Sequence, residues 1–158
     1  ILASFQHAKV YAEHASSAER ADVRNSLCNE LELLADDYVR GPVSDENHVQ
    51  HIVAFADKMT KRHVRVLHES RFRVGIAQKA VNLYLKYCWC FGRTPHPPPH
   101  CPFDRTIIQM LPGCEDINFT QFDDVETYRR LATAAKAEAG SKPIAEWELV
   151  LFNEAQDL

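Results

Sequence analysis

Two lysines and two side-chain amides recur at helical spacing in the most apolar part of the chain. At about 100° per residue, Lys79, Asn82 and Lys86 fall within an arc of roughly 60°, with Gly75 near it and Gln78 at its edge. The residues around them are almost all apolar, which predicts a central helix of the core. Ammonium and amide groups are costly to bury unless they are satisfied or used, so this polar stripe is the first candidate for a functional site.

A carboxylate that follows the stripe supplies the opposite charge. The central helix, predicted over about 75–91, is followed by a proline-rich segment and then by Asp104 and Arg105 in a short predicted helix. A desolvated amine can act as a nucleophile, and a nearby carboxylate can stabilise the positive charge that develops. We therefore take Lys79 and Asp104 as candidate catalytic residues, and the rest of the stripe with Arg105 as candidate binding residues. The alternatives are a lysine that extends to water along a surface strip and an ordinary acid favoured by the helix dipole.

The same segment resembles the helix-hairpin-helix DNA glycosylases. In that superfamily a G-h-G-x-K hairpin opens one helix and an aspartate opens the next, as Gly75-Ile-Ala-Gln-Lys79 and Pro102-Phe-Asp104 would do here. The resemblance implies that Lys79 is a nucleophile and that Asp104 assists it. It also implies that backbone amides of about 74–77 bind a phosphate and that DNA is a partner.

This likeness is incomplete, and a second one is closer in wording. Ala77 stands where the hairpin has its second glycine, and Arg73-Val74 precedes the hairpin in place of Leu-Pro. The segment also resembles a group of small bacterial proteins that share a G-x-x-Q-K-x-x-N-x-x-L-K-Y … C-P-x-D pattern, and that resemblance implies no activity. Both resemblances are confined to this one part of the chain.

Histidine and cysteine side chains around the proline-rich segment are weak candidates for a zinc site. His100 and Cys101 lie near Cys88 and Cys90 in the sequence, and these residue types ligate zinc. The two cysteines on the central helix would point about 200° apart, so only one of them could share a metal with the other pair. Buried thiols that pack as small hydrophobic groups are the alternative, and we predict no cofactor.

Length and composition indicate a single domain in a reducing compartment. A chain of 158 residues with 46% hydrophobic and 25% charged residues can bury a sizeable core without metal or disulfide bonds. The formal net charge of −4 argues against general coating of nucleic acid. The odd number of cysteines, five, predicts free thiols. With no secretory-type opening segment and no apolar run of membrane length, we predict a cytoplasmic protein without a membrane partner, and we make no prediction of oligomeric state.

The elements that must position these residues are predicted to be helices. We expect an all-α domain over 1–158, with about seven helices packed around the buried central one. A first helix is predicted over about 2–14. Ser16 and Glu19 have the spacing of a capping box that opens a second helix, and Gly41-Pro42 ends that helix.

Similar signals bound the later helices. Ser44 is an N-cap for a third helix that is predicted to run to about Ser70. Four further elements are predicted: a short helix with Pro102 in its first turn, an extended piece over 117–122, a helix opened by Asp123 or Asp124 and closed by Gly140, and a last helix started by Ser141 and Pro143.

These observations leave three functions open. The first is a helical module that binds a protein or a small ligand without catalysis. The second, and most specific, is a glycosylase- or lyase-like enzyme that processes nucleic-acid bases with Lys79 and Asp104; the third is a small zinc-binding protein. A basic groove beside Lys79 would favour the enzyme, and bound zinc near His100 the metalloprotein. A convex, evenly charged surface with Lys79 in open solvent would favour the non-catalytic module.

Overall fold

The computed structural model describes residue 5 and residues 8–156, and it confirms the all-α class. The described residues form six α-helices, together with a short 3-10 turn at His68–Ser70. The helices are α1 (Ser17–Arg40), α2 (Asp45–His63), α3 (Val74–Cys90), α4 (Arg105–Gln109), α5 (Val125–Ala139) and α6 (Ile144–Gln156). None of the helices in these ranges is both long and apolar enough to span a bilayer.

Capping side chains confirm several predicted boundaries. The Ser16 hydroxyl accepts the Glu19 N–H and the Glu19 carboxylate accepts the Ser16 N–H, so a capping box opens α1. The side chains of Ser44 and Asp124 accept backbone N–H groups from the first turns of α2 and α5. Gly140 closes α5, as predicted.

The predicted first helix is wrong over its described part. Residues 8–14 contain no helix, and Tyr11 forms an isolated antiparallel bridge with Leu67. This pairing satisfies backbone groups that a helix would otherwise have to bond internally. Residues 2–4, 6 and 7, which belong to the same prediction, lie outside the described residues.

Two other helices are shorter than predicted. α2 ends at His63 instead of near Ser70, because the chain turns there and Glu69 adopts a left-handed backbone with φ of 52°. Pro102 lies before α4 instead of in its first turn, because Asp104 is the N-cap and accepts the Ile107 N–H at 3.2 Å.

The central helix is confirmed, and α3 contacts α1, α2 and α5 in the core. The predicted extended piece over 117–122 is instead a loop of turns, and it packs on the start of α3. The Gly75 N–H donates to the Phe122 carbonyl at 3.1 Å. A Cβ atom at Gly75 would collide with the Phe119 carbonyl oxygen, so the loop approaches the helix as closely as it does only because residue 75 is glycine.

Candidate functional site

All four polar side chains of the stripe are buried in the core. Gln78 and Asn82 are 0% exposed, Lys86 is 7% exposed and Lys79 is 8% exposed. Lys86 therefore does not extend to water along a surface strip, whereas the partner-less Lys79 ammonium is not among the fully buried atoms and still reaches solvent. Because buried polar groups need partners, the function of the stripe depends on what each side chain contacts.

Gln78 is held by the backbone of the segment that precedes α4. Its Nε2 donates to the Phe103 carbonyl at 2.7 Å and to the Gly75 carbonyl at 3.0 Å, while its Oε1 accepts the Phe103 N–H at 3.1 Å. Carbonyl groups only accept and N–H groups only donate, so the orientation of this amide is fixed. The same contacts tie α3 to the residue next to Asp104.

The fixed orientation of Gln78 determines that of Asn82. Gln78 Oε1 is an acceptor, so the Asn82 atom 3.3 Å from it is the Nδ2 donor. The second Nδ2 hydrogen is donated to the Tyr128 hydroxyl at 3.3 Å. Asn82 Oδ1 is then an acceptor and takes the Nε2–H of His48 at 2.7 Å, so His48 carries its hydrogen on Nε2 when it is neutral.

The series of hydrogen bonds continues from His48 to Tyr38 on α1. With its hydrogen on Nε2, His48 uses Nδ1 as an acceptor for the Tyr38 hydroxyl at 2.6 Å. The Tyr38 oxygen in turn accepts the Nδ1–H of His51 at 3.1 Å. The polar atoms that link Asn82 through His48 to Tyr38 therefore each have a partner of the matching kind.

On the side of Asn82 away from α1, the hydrogen bonds continue through Tyr128 to the proline-rich segment. The Tyr128 hydroxyl accepts from Asn82 and donates to His100 Nδ1 at 2.7 Å. His100 therefore carries its hydrogen on Nε2, which lies 4.0 Å from a carboxylate oxygen of Asp45. The candidate binding residue Asn82 is thus the centre of a buried network, and this network consists of Tyr38, His48, His51, Gln78, Asn82, His100 and Tyr128.

Both fully buried histidines of the network are neutral near pH 7. Burial, reinforced by the neighbouring His100, lowers the pKa of His48 to about 3. Burial and the nearby Lys136 lower the pKa of His100 to about 4. Burial also raises the pKa of Tyr128 well above its ordinary value. His48, His100 and Tyr128 are therefore uncharged at neutral pH, which suits a structural role.

Lys86 has a buried counter-ion that the sequence analysis missed. Its Nζ lies 2.9 Å and 2.7 Å from the two carboxylate oxygens of Glu148, and 4.6 Å from the centre of the Phe152 ring. The available signal was the position of Glu148 on the apolar face of α6, between Ile144 and Leu151 at helical spacing. An acid on an apolar face indicates a buried partner.

Lys79 differs from the other stripe residues because it has no acceptor. Its Nζ lies 4.7 Å from the centre of the Phe119 ring, and it forms no hydrogen bond or ion pair with any described residue. Desolvation lowers the pKa of Lys79, and the charge of Asp104 acts in the opposite direction. The structure thus brings Asp104 within electrostatic range of Lys79 but does not pair them; the Asp104 carboxylate accepts the Ile107 N–H.

The backbone amides at the start of α3 already have acceptors. Each N–H from 74 to 77 donates within the protein: Val74 to the Asp123 carboxylate, Gly75 to the Phe122 carbonyl, and Ile76 and Ala77 to the Arg73 carbonyl. The loop over 117–122 covers this end of the helix. These are the amides that the glycosylase resemblance assigns to a phosphate, and in this structure they are occupied.

A cavity of about 440 Å³ lies between α4 and the loop that packs on α3. Its lining includes Arg105, Ile108, Gln109, Ile117, Asn118 and Phe119. Phe119 is also the ring that contacts Lys79, so the cavity lies beside the stripe. Arg105 is exposed and forms no ion pair or hydrogen bond with any described residue. Of the predicted binding residues, Arg105 alone lines this cavity.

The weak zinc candidates are not joined by a third ligand. Cys101 is 0% exposed, and burial raises the pKa of its thiol well above the ordinary value. His100 uses Nδ1 to accept from Tyr128. Within the described part of the chain, no group of three or more His, Cys, Asp or Glu side chains is arranged to hold a metal ion.

Comparison with known proteins was made for the whole chain, beyond the segment that carries the two resemblances. Each of three comparisons was made with a different set: protein-family models, curated proteins and solved structures. None of the three found a match to this chain.

Proposed function

We propose that this chain is a non-catalytic helical binding module, with the cavity beside α4 as its ligand site. The observation that carries the proposal is the closed hydrogen-bond network around Asn82. Gln78, Asn82 and Lys86 have internal partners, so three of the four polar groups of the stripe serve the fold. We therefore place the ligand site outside the stripe, at the neighbouring surface.

The size and lining of the cavity support a small ligand. Its volume of about 440 Å³ lies within the range of about 300–1,000 Å³ that is typical of ligand pockets. Ile108 and Phe119 are buried and give it an apolar base, while Arg105, Gln109 and Asn118 give it polar groups at the edge. A few polar groups around an apolar base are the usual composition of a small-molecule site.

The proposal is tested by a ligand screen read by NMR of the ¹⁵N-labelled chain. Mixtures of small, metabolite-sized compounds are added, and amide shifts are mapped onto the structure. We expect shifts at 105–109 and 115–120, with the side-chain amide signals of Gln78 and Asn82 unchanged because the network is closed. Shifts centred on the network, or no shifts with any mixture, would contradict the proposal.

A second candidate function is amine chemistry of the glycosylase or lyase type, and Lys79 favours it. Its ammonium group has no acceptor among the described residues, and desolvation lowers its pKa. A partly desolvated amine without an ion-pair partner is the kind of group that serves as a nucleophile in enzymes of this type. In this proposal the neutral Lys79 amine attacks C1′ of a flipped nucleotide while the N-glycosidic bond breaks, the base leaves with the proton that the amine loses, and Asp104 stabilises the positive charge that develops.

Borohydride trapping separates the two candidates. The protein is mixed with single- and double-stranded oligonucleotides that contain an abasic site, with Lys79→Gln as the control. A covalent adduct formed by the unaltered chain and lost in the variant would establish the enzyme and contradict the non-catalytic module. We expect no adduct, and a melting temperature of Lys79→Gln close to that of the unaltered chain.

A cytoplasmic location remains part of the proposal. The five cysteines of the chain are all free thiols: Cys28, Cys88, Cys90, Cys101 and Cys114. Free thiols are typical of reducing compartments, and Cys90 is exposed, where oxidation would reach it first.

A further inference from the structure

We infer that the cavity beside α4 binds a small ligand that carries a carboxylate or phosphate group on an apolar body, with Arg105 as the pairing cation. The inference rests on the proposed function and adds the chemical class of its ligand.

Three side chains at the cavity have donors with no acceptor among the described residues: Arg105, Gln109 and Asn118. Asn118 Oδ1 accepts both the Thr120 N–H at 3.0 Å and the Thr120 hydroxyl at 2.8 Å, which fixes the Asn118 amide and leaves its Nδ2 hydrogens for a ligand. The Arg105 guanidinium and the Gln109 amide have no hydrogen bond to any described residue. A ligand that satisfies Arg105 and Asn118 must bring acceptors.

Of the two acids at the cavity, Asp116 has a cationic partner, whereas the charge of Glu115 has, among the described residues, only a backbone N–H as its partner and opposes that of Arg105. Glu115 Oε1 accepts the Gly113 N–H at 3.1 Å, and Asp116 Oδ1 accepts from Arg130 at 3.4 Å. The Arg130 guanidinium also donates to the Gly113 carbonyl, which holds it beside Asp116. The positive charge without a partner at the cavity is therefore that of Arg105. A planar guanidinium pairs best with a carboxylate or a phosphate, because it can donate two parallel hydrogen bonds to either.

The base of the cavity adds two further requirements. Ile108, half-buried Ile117 and Phe119 line the inner surface, which therefore offers apolar contact to the body of the ligand. Lys79 lies against the Phe119 ring and places a second positive charge behind that surface. Its field also favours an anion, although its amine faces the ring. An anionic group on an apolar body therefore fits better than a bare ion.

The test uses three probes of similar size: phenyl phosphate, benzoate and neutral benzyl alcohol. Each is titrated into the full chain at neutral pH, and binding is followed by amide shifts of the residues that line the cavity. We expect phenyl phosphate, benzoate or both to bind more tightly than benzyl alcohol, with an affinity that falls as salt is added. The two anionic probes distinguish a phosphate ligand from a carboxylate ligand.

Three variants locate the binding. Arg105→Gln removes the pairing charge, and Asn118→Asp keeps the acceptor for Thr120 while replacing the Nδ2 donor with a negative oxygen. We expect each to weaken the anionic probe about tenfold or more, the effect of about 1.4 kcal/mol for a lost charged hydrogen bond. Lys61→Gln removes the same charge from an exposed site on α2 and should leave binding unchanged.

Three results would overturn the inference. The first is equal affinity for benzyl alcohol and the anionic probes, which would leave the binding module intact but show that it does not select an anion. The second is binding of an anion that Arg105→Gln and Asn118→Asp do not weaken, and the third is no binding of either anion up to about 10 mM. Failure of the whole module would instead appear as an empty ligand screen or as a borohydride adduct at Lys79.

Discussion

A buried ammonium group is costly unless an acceptor lies within reach, and the two lysines of the stripe differ in this respect. Lys86 contacts both carboxylate oxygens of Glu148, whose own pKa is raised by burial and lowered again by Lys86. Lys79 has the face of Phe119 and no described acceptor. The same substitution at the two positions therefore has different consequences for the free energy of unfolding.

We predict that Lys86→Met costs about 3–5 kcal/mol of stability and Lys79→Met less than about 1 kcal/mol. The first variant leaves the Glu148 carboxylate buried without its cation. The second keeps the apolar stem and removes a charge that has no ion pair. Urea unfolding of both variants measures the difference, and each serves as the control for the other. Equal losses would mean that Lys79 has a structural partner of similar strength.

The spacing of the stripe could be predicted from the sequence, but its partners could not. The partner atoms lie 25 residues away for Gln78 and Phe103, 34 for Asn82 and His48, and 62 for Lys86 and Glu148. Helical periodicity reports which residues share a face, whereas these contacts depend on how distant elements pack. Lys79 and Asp104, which were predicted to act together, lie within electrostatic range of each other but form no ion pair.

At the scale of elements, the close contact between α3 and the 117–122 loop requires a residue without a side chain at position 75. Gly75 has no side chain, and the Phe119 carbonyl occupies the place of a Cβ. The glycosylase resemblance explains this glycine by a phosphate that approaches the helix. The structure offers a different reason, since the loop itself makes the close approach.

We predict that Gly75→Ala destabilises the chain by about 1–3 kcal/mol, the usual cost of overpacking a core. The added methyl group must push the loop away or bend the start of α3. Gly41→Ala is the matched control, because no atom lies within 4 Å of its Cβ position and its φ of 162° is extended backbone. Thermal unfolding of both variants checks the prediction, and a Gly75→Ala chain as stable as the control would contradict it.

Helix starts were predictable where a side chain caps them, as at α1, α2 and α5. The end of α2 was not, because no glycine or proline marks it. The helix ends at His63, and the 3-10 turn that follows takes left-handed backbone at two ordinary residues, Glu69 and Ser70, with φ of 52° and 57°. These conformations are uncommon outside glycine, and a sequence offers no local signal for them.

At the scale of the whole molecule, the network around Asn82 joins most of the fold. Tyr38 belongs to α1, His48 to α2, Asn82 to α3 and Tyr128 to α5, while His100 lies in the proline-rich segment. In both fully buried histidines Nδ1 accepts a tyrosine hydroxyl. A protonated Nδ1 would face that hydroxyl as a second donor, so protonation of either histidine breaks the network.

This arrangement makes the stability of the fold depend on pH. The pKa of His48 falls from 6.5 to about 3 on folding, and that of His100 falls from 6.5 to about 4. The unfolded chain therefore binds more protons below pH 6.5. Stability is full above this value and decreases as the pH falls towards the folded pKa values. Linkage gives a loss on the order of 4 kcal/mol between about pH 7.5 and about pH 5 for the two groups together.

Urea unfolding at these two pH values measures the loss, and two variants assign it. His100→Asn keeps an acceptor for the Tyr128 hydroxyl but cannot take up a proton, so we expect it to halve the difference in unfolding free energy. His96→Gln changes an exposed histidine of the same segment and should leave the difference unchanged. If the His100→Asn chain keeps the full pH dependence, other groups cause it. A reduced dependence would show that uptake of a proton by His100 contributes to the loss of stability at low pH.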